Sequence, residues 1–249
     1  MKLRNLFSNP ASALILASCA VTSIPAAHAD TFVWATWTAA TPSTGTGGGA
    51  TGTMPGFTIT YTGQISQLNG GPSWNPASTW IGGVVGNGPP VNATSIHMEG
   101  GNPGTETITF SGPVANPVLA IWSLGQPGVQ TSFDFNSSEP FTIAGGGPNA
   151  EFGGSGLVIN SAGTGVTGNE GNGLIELLGV YTSFTFTTPN FENYYDFTIG
   201  EDQTVTATLP PGGGGTTTPS AVPEPETLSL FGMGLAALPF ARRALTRKR

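Results

Sequence analysis

Four carboxylates close together in the second half of the sequence are the first candidates for chemistry. Glu192, Asp196, Glu201 and Asp202 lie along one predicted strand and the turn that follows it. Carboxylate oxygens on loops are hard ligands of the kind that Ca²⁺ prefers, so these residues form a candidate calcium site, although their spacing does not match an EF-hand. The competing interpretation is a solvated acidic face of a sheet. No other cofactor is expected.

A single imidazole limits the catalytic chemistry that the sequence supports. His97 is the only histidine outside the first 29 residues, which excludes zinc sites built on several histidines there. A Ser-His-Asp triad would need His97 beside a serine and a carboxylate, and glycoside hydrolysis would need two carboxylates facing each other in a cleft. Neither arrangement has a sequence signature. We therefore predict that the protein is not an enzyme, with a secreted hydrolase as the weakest alternative.

Two tryptophans form a candidate ligand platform. Trp74 and Trp80 lie in a segment rich in Gly, Pro and Asn, where exposed indoles stack on pyranose faces while Asn and Thr supply hydrogen bonds. This pattern gives a carbohydrate-binding module as the second functional hypothesis. The alternative is that both indoles are core residues or anchor the loop. Trp34, Trp37 and Trp122 lie in strand-like runs and are predicted core residues.

The charge distribution excludes several classes of partner. All seven Lys and Arg residues lie within the first four or the last eight positions, whereas all fourteen acidic residues lie between these two ends. Nucleic acid and anionic lipid are poor partners for the long middle of the chain, because both require basic side chains to meet their phosphates. Salt bridges to Lys or Arg are equally excluded there. We expect stability to come from apolar burial and hydrogen bonding.

The pattern along residues 30–209 predicts an all-β domain. Short runs rich in Thr, Val, Ile and aromatic residues lie between Gly, Pro, Asn and Ser clusters, which is typical of a β-sandwich, here jelly-roll-like. Polar and apolar positions alternate at residues 57–61, 107–110, 133–136, 182–186 and 195–199. Residues 117–124 are apolar for longer, as expected of a central strand covered on both faces. Residues 41–52, rich in Gly, Thr and Ser, are predicted to form a flexible loop.

The first 29 residues carry a targeting feature. A basic start, an apolar core and a small-x-small cleavage site that ends at Ala29 predict a secretory signal peptide over residues 1–29. The alternative is lipidation at Cys19, because residues 16–19 resemble a bacterial lipobox. Cys19 is the only cysteine, so cleavage after Ala29 would leave a chain without disulfides or thiolate chemistry.

The other end of the sequence combines a linker with a short apolar segment. Residues 210–221 are rich in Gly, Pro and Thr and form a predicted linker. Val222, Pro223, Glu224 and Pro225 follow, then an uncharged run at 228–241 and a basic tail at 242–249. Basic residues on one side only are the positive-inside arrangement of a transmembrane helix whose N-terminal side is exported. Snorkelling and bilayer thinning compensate for its short length. The alternative is a terminal helix packed on a soluble domain.

Residues 222–249 resemble the PEP-CTERM sorting signal of Gram-negative bacteria that export proteins together with exopolysaccharide. The resemblance rests on Val222, Pro223, Glu224 and Pro225, the apolar run, and the pair Arg242 and Arg243. It implies export through the Sec pathway, transient insertion in the inner membrane through the C-terminal helix, and cleavage near the motif by an exosortase. The mature protein would then lie at the cell surface or in the extracellular matrix.

Motifs such as Ser123-Leu124-Gly125 and Glu170-Gly171-Asn172-Gly173 make residues 105–200 similar to a recurrent ectodomain of exported PEP-CTERM proteins. This resemblance implies a β-sandwich at the cell exterior and no particular activity. Our leading hypothesis is a structural or adhesive protein of the exopolysaccharide of a biofilm. A flat polar surface without a pocket would favour it over the carbohydrate-binding module and the hydrolase.

Overall fold

The computed structural model describes residues 30–70, 74–135 and 139–203. It confirms the all-β class, because these residues form fourteen β-strands, one 3₁₀ turn at Ala77–Trp80 and no α-helix. The predicted signal peptide, linker, transmembrane helix and sorting motif lie outside the described residues. The strands are β1 (Phe32–Trp34), β2 (Thr36–Thr41), β3 (Ser43–Met54), β4 (Phe57–Ile65), β5 (Gln67–Asn69), β6 (Ser95–Ala115), β7 (Val118–Leu124), β8 (Thr131–Phe135), β9 (Phe141–Gly146), β10 (Ser155–Gly156), β11 (Val158–Ile159), β12 (Gly165–Gly168), β13 (Gly171–Leu177) and β14 (Val180–Asp202).

The strands form one large sheet that folds over on itself as a β-sandwich. Its main path runs β10-β13-β7-β14-β6-β4-β3-β2, and the strand pairings are antiparallel except for the two-residue contact of β10 with β13. The ladder between the two longest strands, β6 and β14, contains four register shifts, which bend both strands. The first part of β14 pairs with β8, and its last part pairs with β7 and β1.

A main core of alternating apolar side chains lies between the two halves of the sandwich. Phe197 of β14 is 0% exposed and sits at the centre of a group of aromatic rings. Its ring centroid is 5.5 Å from that of Tyr61, 5.8 Å from that of Phe133 and 5.6 Å from that of Phe186. The predicted alternation is therefore confirmed at residues 57–61, 133–135 and 195–199 as the core-facing pattern of β4, β8 and β14.

The opposite face of β7 carries a second apolar group. Val118, Ala120 and Trp122 belong to this group, whereas Leu119 and Ile121 belong to the main core. All seven residues of β7 are buried, which confirms the prediction of a central strand covered on both faces. We call the second group the outer cluster; its buried members are Phe32, Trp34, Trp74, Trp80, Val85, Val118, Ala120, Trp122 and Leu174.

Residues 74–93, here named the cover segment, lie over the outer cluster without forming a strand. The segment is attached to the chain just before β1, because Asp30 N donates to Val84 O at 2.7 Å and Gly86 N donates to Asp30 O at 2.9 Å. The side chain of Asn87 then makes two hydrogen bonds with the backbone of Phe32, as a neighbouring strand would. It accepts from Phe32 N at 2.7 Å and donates to Phe32 O at 2.9 Å. The cover segment is thus tied to β1, and β1 is paired with the end of β14.

The predicted flexible loop at residues 41–52 is wrong, because Ser43–Met54 form β3 between β2 and β4. Glycines lie where the neighbouring backbones come closest. A Cβ at Gly48 or Gly49 would lie 2.6 Å from a carbonyl oxygen of β4, and one at Gly52 would lie 2.8 Å from Thr36 O. Glycine in this strand permits close backbone approach, which composition alone does not distinguish from flexibility.

Candidate functional site

The structure buries the two tryptophans that the sequence offered as a sugar platform. Trp74 and Trp80 are 1% and 0% exposed, and their rings meet edge to face with centroids 4.9 Å apart. Trp74 Nε1 donates to Ala93 O at 3.2 Å. The exposed platform is therefore not formed, and both indoles serve as core residues of the cover segment. The physical reason is the apolar outer face of β7, which requires bulky side chains over it.

The four carboxylates of the predicted calcium site lie in three different places. Glu192 lies beside Thr131, Asp196 lies beside His97, and Glu201 and Asp202 lie opposite β1. None of the four is more than 9% exposed, so they do not form a solvated face either. Across residues 30–70, 74–135 and 139–203, no group of three or more His, Cys, Asp or Glu side chains is arranged to hold a metal ion.

Asp196 is the centre of a buried polar cluster that also holds His97. Asp196 Oδ1 is 3.6 Å from His97 Nδ1 and accepts from Ser95 Oγ at 3.3 Å, while Oδ2 accepts from Asn69 Nδ2 at 3.1 Å. Burial raises the pKa of Asp196, and His97, Asn69 and Ser95 offset part of that increase. Because the Ser95 hydroxyl is bonded to the carboxylate and not to the imidazole, the arrangement differs from a Ser-His-Asp triad.

Three aromatic rings shield this polar cluster from solvent. The Tyr194 ring lies 4.3 Å from the His97 ring and 5.3 Å from the Trp122 ring. Phe152, which is 54% exposed, covers Trp122 at 5.3 Å. The loop that carries Phe152 is held by Asn149, whose Oδ1 accepts from Phe152 N at 2.6 Å. The polar cluster therefore joins β5, β6 and β14, and the Phe152 loop packs against the aromatic rings that cover it.

A buried asparagine joins the same loop to the sheet. Asn172 is 0% exposed, and its Oδ1 accepts from Ser123 N and from Asn149 Nδ2, both at 2.8 Å. Its Nδ2 donates to Glu170 O at 2.8 Å. Ser123 and Glu170 hold the left-handed backbone conformation, with φ of 61° and 53°. The sequence marked these residues only as motifs of a resemblance, since nothing local shows which polar groups Asn172 meets.

Buried carboxylates without a basic partner recur through the molecule. Glu106 is 0% exposed and accepts from Tyr61 Oη at 2.7 Å and from Gln64 N at 2.8 Å; burial raises its pKa. Burial also raises the pKa of Glu192 to about 8. For Glu201, burial and the charge of Asp202 raise the pKa to about 7. No Lys or Arg lies between positions 5 and 241. The charge of these buried carboxylates must therefore be offset by protonation, by neutral hydrogen-bond donors or by cations from outside the protein.

The most regular surface of the molecule is the solvent face of β2, β3, β4, β6 and the first part of β14. Thr51 of β3 lies opposite Thr60 of β4, Thr60 lies opposite Thr109 of β6, and Thr109 lies opposite Ser183 of β14. Parallel rows lie on either side of this one. We call this surface the hydroxyl face; its members are Thr36, Thr51, Thr53, Thr58, Thr60, Thr62, Thr107, Thr109, Ser111, Ser183 and Thr185, each exposed or half-buried.

The spacing of the hydroxyl face follows from sheet geometry. Neighbours across strands are about 4.8 Å apart, and successive members along one strand are about 6.8 Å apart. None of its members is charged, and each threonine presents a methyl group beside its hydroxyl. The alternation at residues 57–61 and 107–110 predicted which threonines point outward, but the register that aligns them across strands involves residues far apart in sequence.

An open groove lies at the edge of the hydroxyl face, between β1, the β3–β4 turn and the cover segment, and it shares Thr36 and Thr53 with that face. It is lined by Phe32, Val33, Trp34, Thr36, Thr53, Met54, Pro55, Asn87 and Pro90. None of these side chains titrates near neutral pH, so the groove holds neither the paired carboxylates of a glycosidase nor an imidazole. Within the described ranges, no helix is long and apolar enough to cross a membrane.

Comparison with known proteins identifies the C-terminal segment. Residues 221–248 match the family model of the PEP-CTERM protein-sorting motif, which contains the predicted Val222, Pro223, Glu224 and Pro225. No curated protein and no solved structure matches the chain. A PEP-CTERM motif implies export, processing by an exosortase and anchoring in the membrane before release at the surface. The chain therefore carries a PEP-CTERM protein-sorting motif after its all-β domain.

Proposed function

We propose that this protein is a non-enzymatic structural or adhesive component of the extracellular polysaccharide matrix, as in a biofilm, and that it associates with polysaccharide through the hydroxyl face. The observation that carries the proposal is the register of that face, where Thr51, Thr60, Thr109 and Ser183 form one continuous row across four strands. An extended polysaccharide presents hydroxyl groups at regular intervals, which a regular row of hydroxyls can meet at several points.

The expected energetics are those of many weak contacts. A single hydrogen bond exchanged with water contributes only about 0.5 to 1.5 kcal/mol, so one sugar unit is expected to bind weakly. Several rows engaging the same polymer raise the apparent affinity through effective concentration. Because the face carries no charge, salt is expected to have little influence on the association.

The buried polar groups support a non-catalytic role. Asp196 is fully buried and bonded to Ser95 and Asn69, and the polar atoms of Asn172 are bonded to surrounding loops and strands. These contacts give a structural role to residues whose side chains could otherwise take part in catalysis. Delivery by the Sec pathway, transient anchoring in the inner membrane and final attachment to the matrix complete the proposal.

Sedimentation with exopolysaccharide from the producing host tests the proposed surface. The double variant Thr51→Val with Thr60→Val removes two hydroxyls from the central row and keeps the β-branched shape. We expect this variant to stay in the supernatant instead of sedimenting with the polysaccharide, and to retain the wild-type melting temperature. The matched control is Thr31→Val with Ser161→Ala, which removes two exposed hydroxyls outside the hydroxyl face. Equal retention of both double variants would contradict the proposal.

Intact mass of the protein recovered from cells and medium tests the delivery route. In a host with an exosortase we expect loss of residues 1–29 and of the segment after Pro223. Glu224→Gln, or deletion of the exosortase, should leave the C-terminal segment in place and keep the protein in the membrane fraction. A mass that includes a lipid on Cys19 would show a lipoprotein route instead.

A further inference from the structure

We infer that the open groove at the edge of the hydroxyl face is a subsite for a neutral pyranose unit of the polysaccharide that lies across that face. The inference rests on the proposed function and deepens it, because it adds a second region of contact and names the class of sugar. The groove is formed by β1, the β3–β4 turn, the cover segment, and Thr36 and Thr53 of the hydroxyl face.

One row of the hydroxyl face leads into the groove. Thr58 of β4 lies opposite Thr53 of β3, and Thr53 lies opposite Thr36 of β2. At the far end of the row, the Ser111 hydroxyl of β6 accepts from Thr58 N at 3.0 Å. Thr53 and Thr36 are exposed, and both line the groove. A sugar chain that follows this row across β4 and β3 therefore reaches the groove without leaving the protein surface.

The walls of the groove are held in place by the protein itself. Pro55 and Gly56 form the turn between β3 and β4, and the φ of 92° at Gly56 matches the position after proline in a type II turn. On the other side, Trp34 Nε1 donates to Asn87 O at 3.2 Å, and the Asn87 side chain is bonded to both backbone groups of Phe32. Walls that are already ordered lose little conformational entropy when a ligand binds.

The groove combines apolar carbon with neutral polar groups, as a pyranose ring does. Its volume of about 510 Å³ is ordinary for a small-ligand site. Asn87 uses one N–H and one oxygen lone pair on Phe32, and a primary amide has a second of each for a ligand. Apolar surface and hydroxyls come from the other lining residues, among them Val33, Met54, Pro55 and Pro90 for the first and Thr36 and Thr53 for the second.

The charge of the protein selects a neutral sugar over an acidic one. None of the nine lining residues is charged, and no Lys or Arg lies between positions 5 and 241 to pair with a carboxylate or a sulfate. All fourteen acidic residues lie in that interval, so an anionic sugar approaches against repulsion. Transfer of its charge from water into the groove without a partner costs further free energy.

Fluorescence titration of the full-length chain in detergent tests the groove, because Trp34 lines it. The probes are short oligosaccharides released from the same exopolysaccharide by partial acid hydrolysis and separated by anion exchange into a neutral and an acidic fraction. We expect a saturable change with the neutral fraction and none with the acidic fraction. Pro90→Glu should weaken binding of the neutral fraction by about tenfold or more, because the added carboxylate must lose water to admit a sugar.

The matched control is Val91→Glu, which adds the same charge at the next position. Val91 is 55% exposed and is not among the lining residues, so this variant should bind the neutral fraction as the wild-type protein does. Both variants should retain the wild-type melting temperature.

The groove and the hydroxyl face can fail separately. Thr51→Val with Thr60→Val should lose sedimentation with the polymer and keep the response to the neutral fraction, since neither residue lines the groove. No response of the wild-type protein to the neutral fraction, an equal response to the acidic fraction, or an equal response of Pro90→Glu would overturn the inference and leave the sedimentation result standing. A response to a proline-rich peptide in place of the sugars would also overturn it, and would assign the groove to a protein partner.

Discussion

The outer face of one half of the sandwich is covered by another segment of the chain, whereas the outer face of the other half is exposed to solvent. The outer face of β7 carries Val118, Ala120 and Trp122, and it lies beneath the cover segment. The outer face of β3 and β4 carries Thr51 and Thr60, and it lies open to solvent. Both faces belong to one continuous sheet, so the difference arises from the residues at alternate positions and not from a different backbone architecture.

This difference shows what each pattern requires of the rest of the chain. A strand with apolar residues on one face only is complete once the main core has formed, and its polar face can serve for recognition. A strand that is apolar on both faces needs a second covering element. The cover segment fills this role without strands, and it does so with large side chains, because two indoles bury much apolar area within few residues.

The largest expected effect is the loss of that cover. Trp80→Ala removes a fully buried indole that packs against Trp74 and should lower the free energy of unfolding by about 3 to 5 kcal/mol. Chemical denaturation followed by tryptophan fluorescence measures the change. A loss below about 1 kcal/mol, within the range of ordinary surface changes, would mean that the cover segment contributes little to the fold.

The next largest effect concerns the attachment of the cover segment. Asn87→Ala removes both hydrogen bonds to the backbone of Phe32 and leaves those groups without partners, so the free energy of unfolding should fall by about 1 to 3 kcal/mol. Asn92→Ala is the matched control, because Asn92 is an exposed residue of the same segment. Hydrogen exchange should quicken in residues 74–93 of the first variant and stay unchanged in the second.

A smaller effect is expected from pH. The pKa of Glu201 is raised from 4.5 to about 7 by burial and by Asp202, so the folded state holds a proton that the unfolded state releases at lower pH. The contribution of Glu201 to stability should be full below pH 4.5 and should be lost as pH rises through 7. In EDTA we expect Tm to fall by about 2 to 4 °C over this range. Glu201→Gln should make this decrease smaller, while the other buried carboxylates with a raised pKa, such as Glu192, keep part of it; an unaltered slope would contradict the assignment.

The smallest effect is expected on the open face. Thr60→Val keeps the β-branched side chain in its strand and should change the free energy of unfolding by no more than about 0.5 kcal/mol. Equilibrium denaturation beside Trp80→Ala gives the comparison directly. A loss as large as that of Trp80→Ala would show that the hydroxyl face stabilises the sandwich in the way that the covered face does.

The strands were predictable where the information is local. The alternation at residues 57–61, 133–135 and 195–199 gave the core-facing positions of β4, β8 and β14, because a period of two is visible in a few residues. The strand β7 was also predictable, because an unbroken apolar run is visible locally without any alternation. The sorting motif was also local, since its residues are contiguous.

The candidate site was harder to predict because its contacts are distant in sequence. Asn87 meets Phe32 across 55 positions. Thr60 of β4 meets Thr109 of β6 although β5 and the cover segment lie between them in the sequence. The glycines of β3 look like a flexible loop until the carbonyls of β2 and β4 are placed beside them. Trp74 and Trp80 are buried because they pack on the apolar outer face of β7. The sequence of their own segment does not show this contact.

The pairing of β1 with the end of β14 has a consequence for the time at which this protein can fold. Phe32 lies opposite Asp202 and Val33 lies opposite Glu201, so the earliest and the latest of the described strands complete each other. On the Sec route that we propose, β1 would cross the membrane first and β14 last. The sheet therefore cannot close until the residues just before the linker have crossed the membrane, and by then the sorting motif has arrived there. On this route we expect the domain to close late in export, at about the time when the sorting motif reaches the membrane.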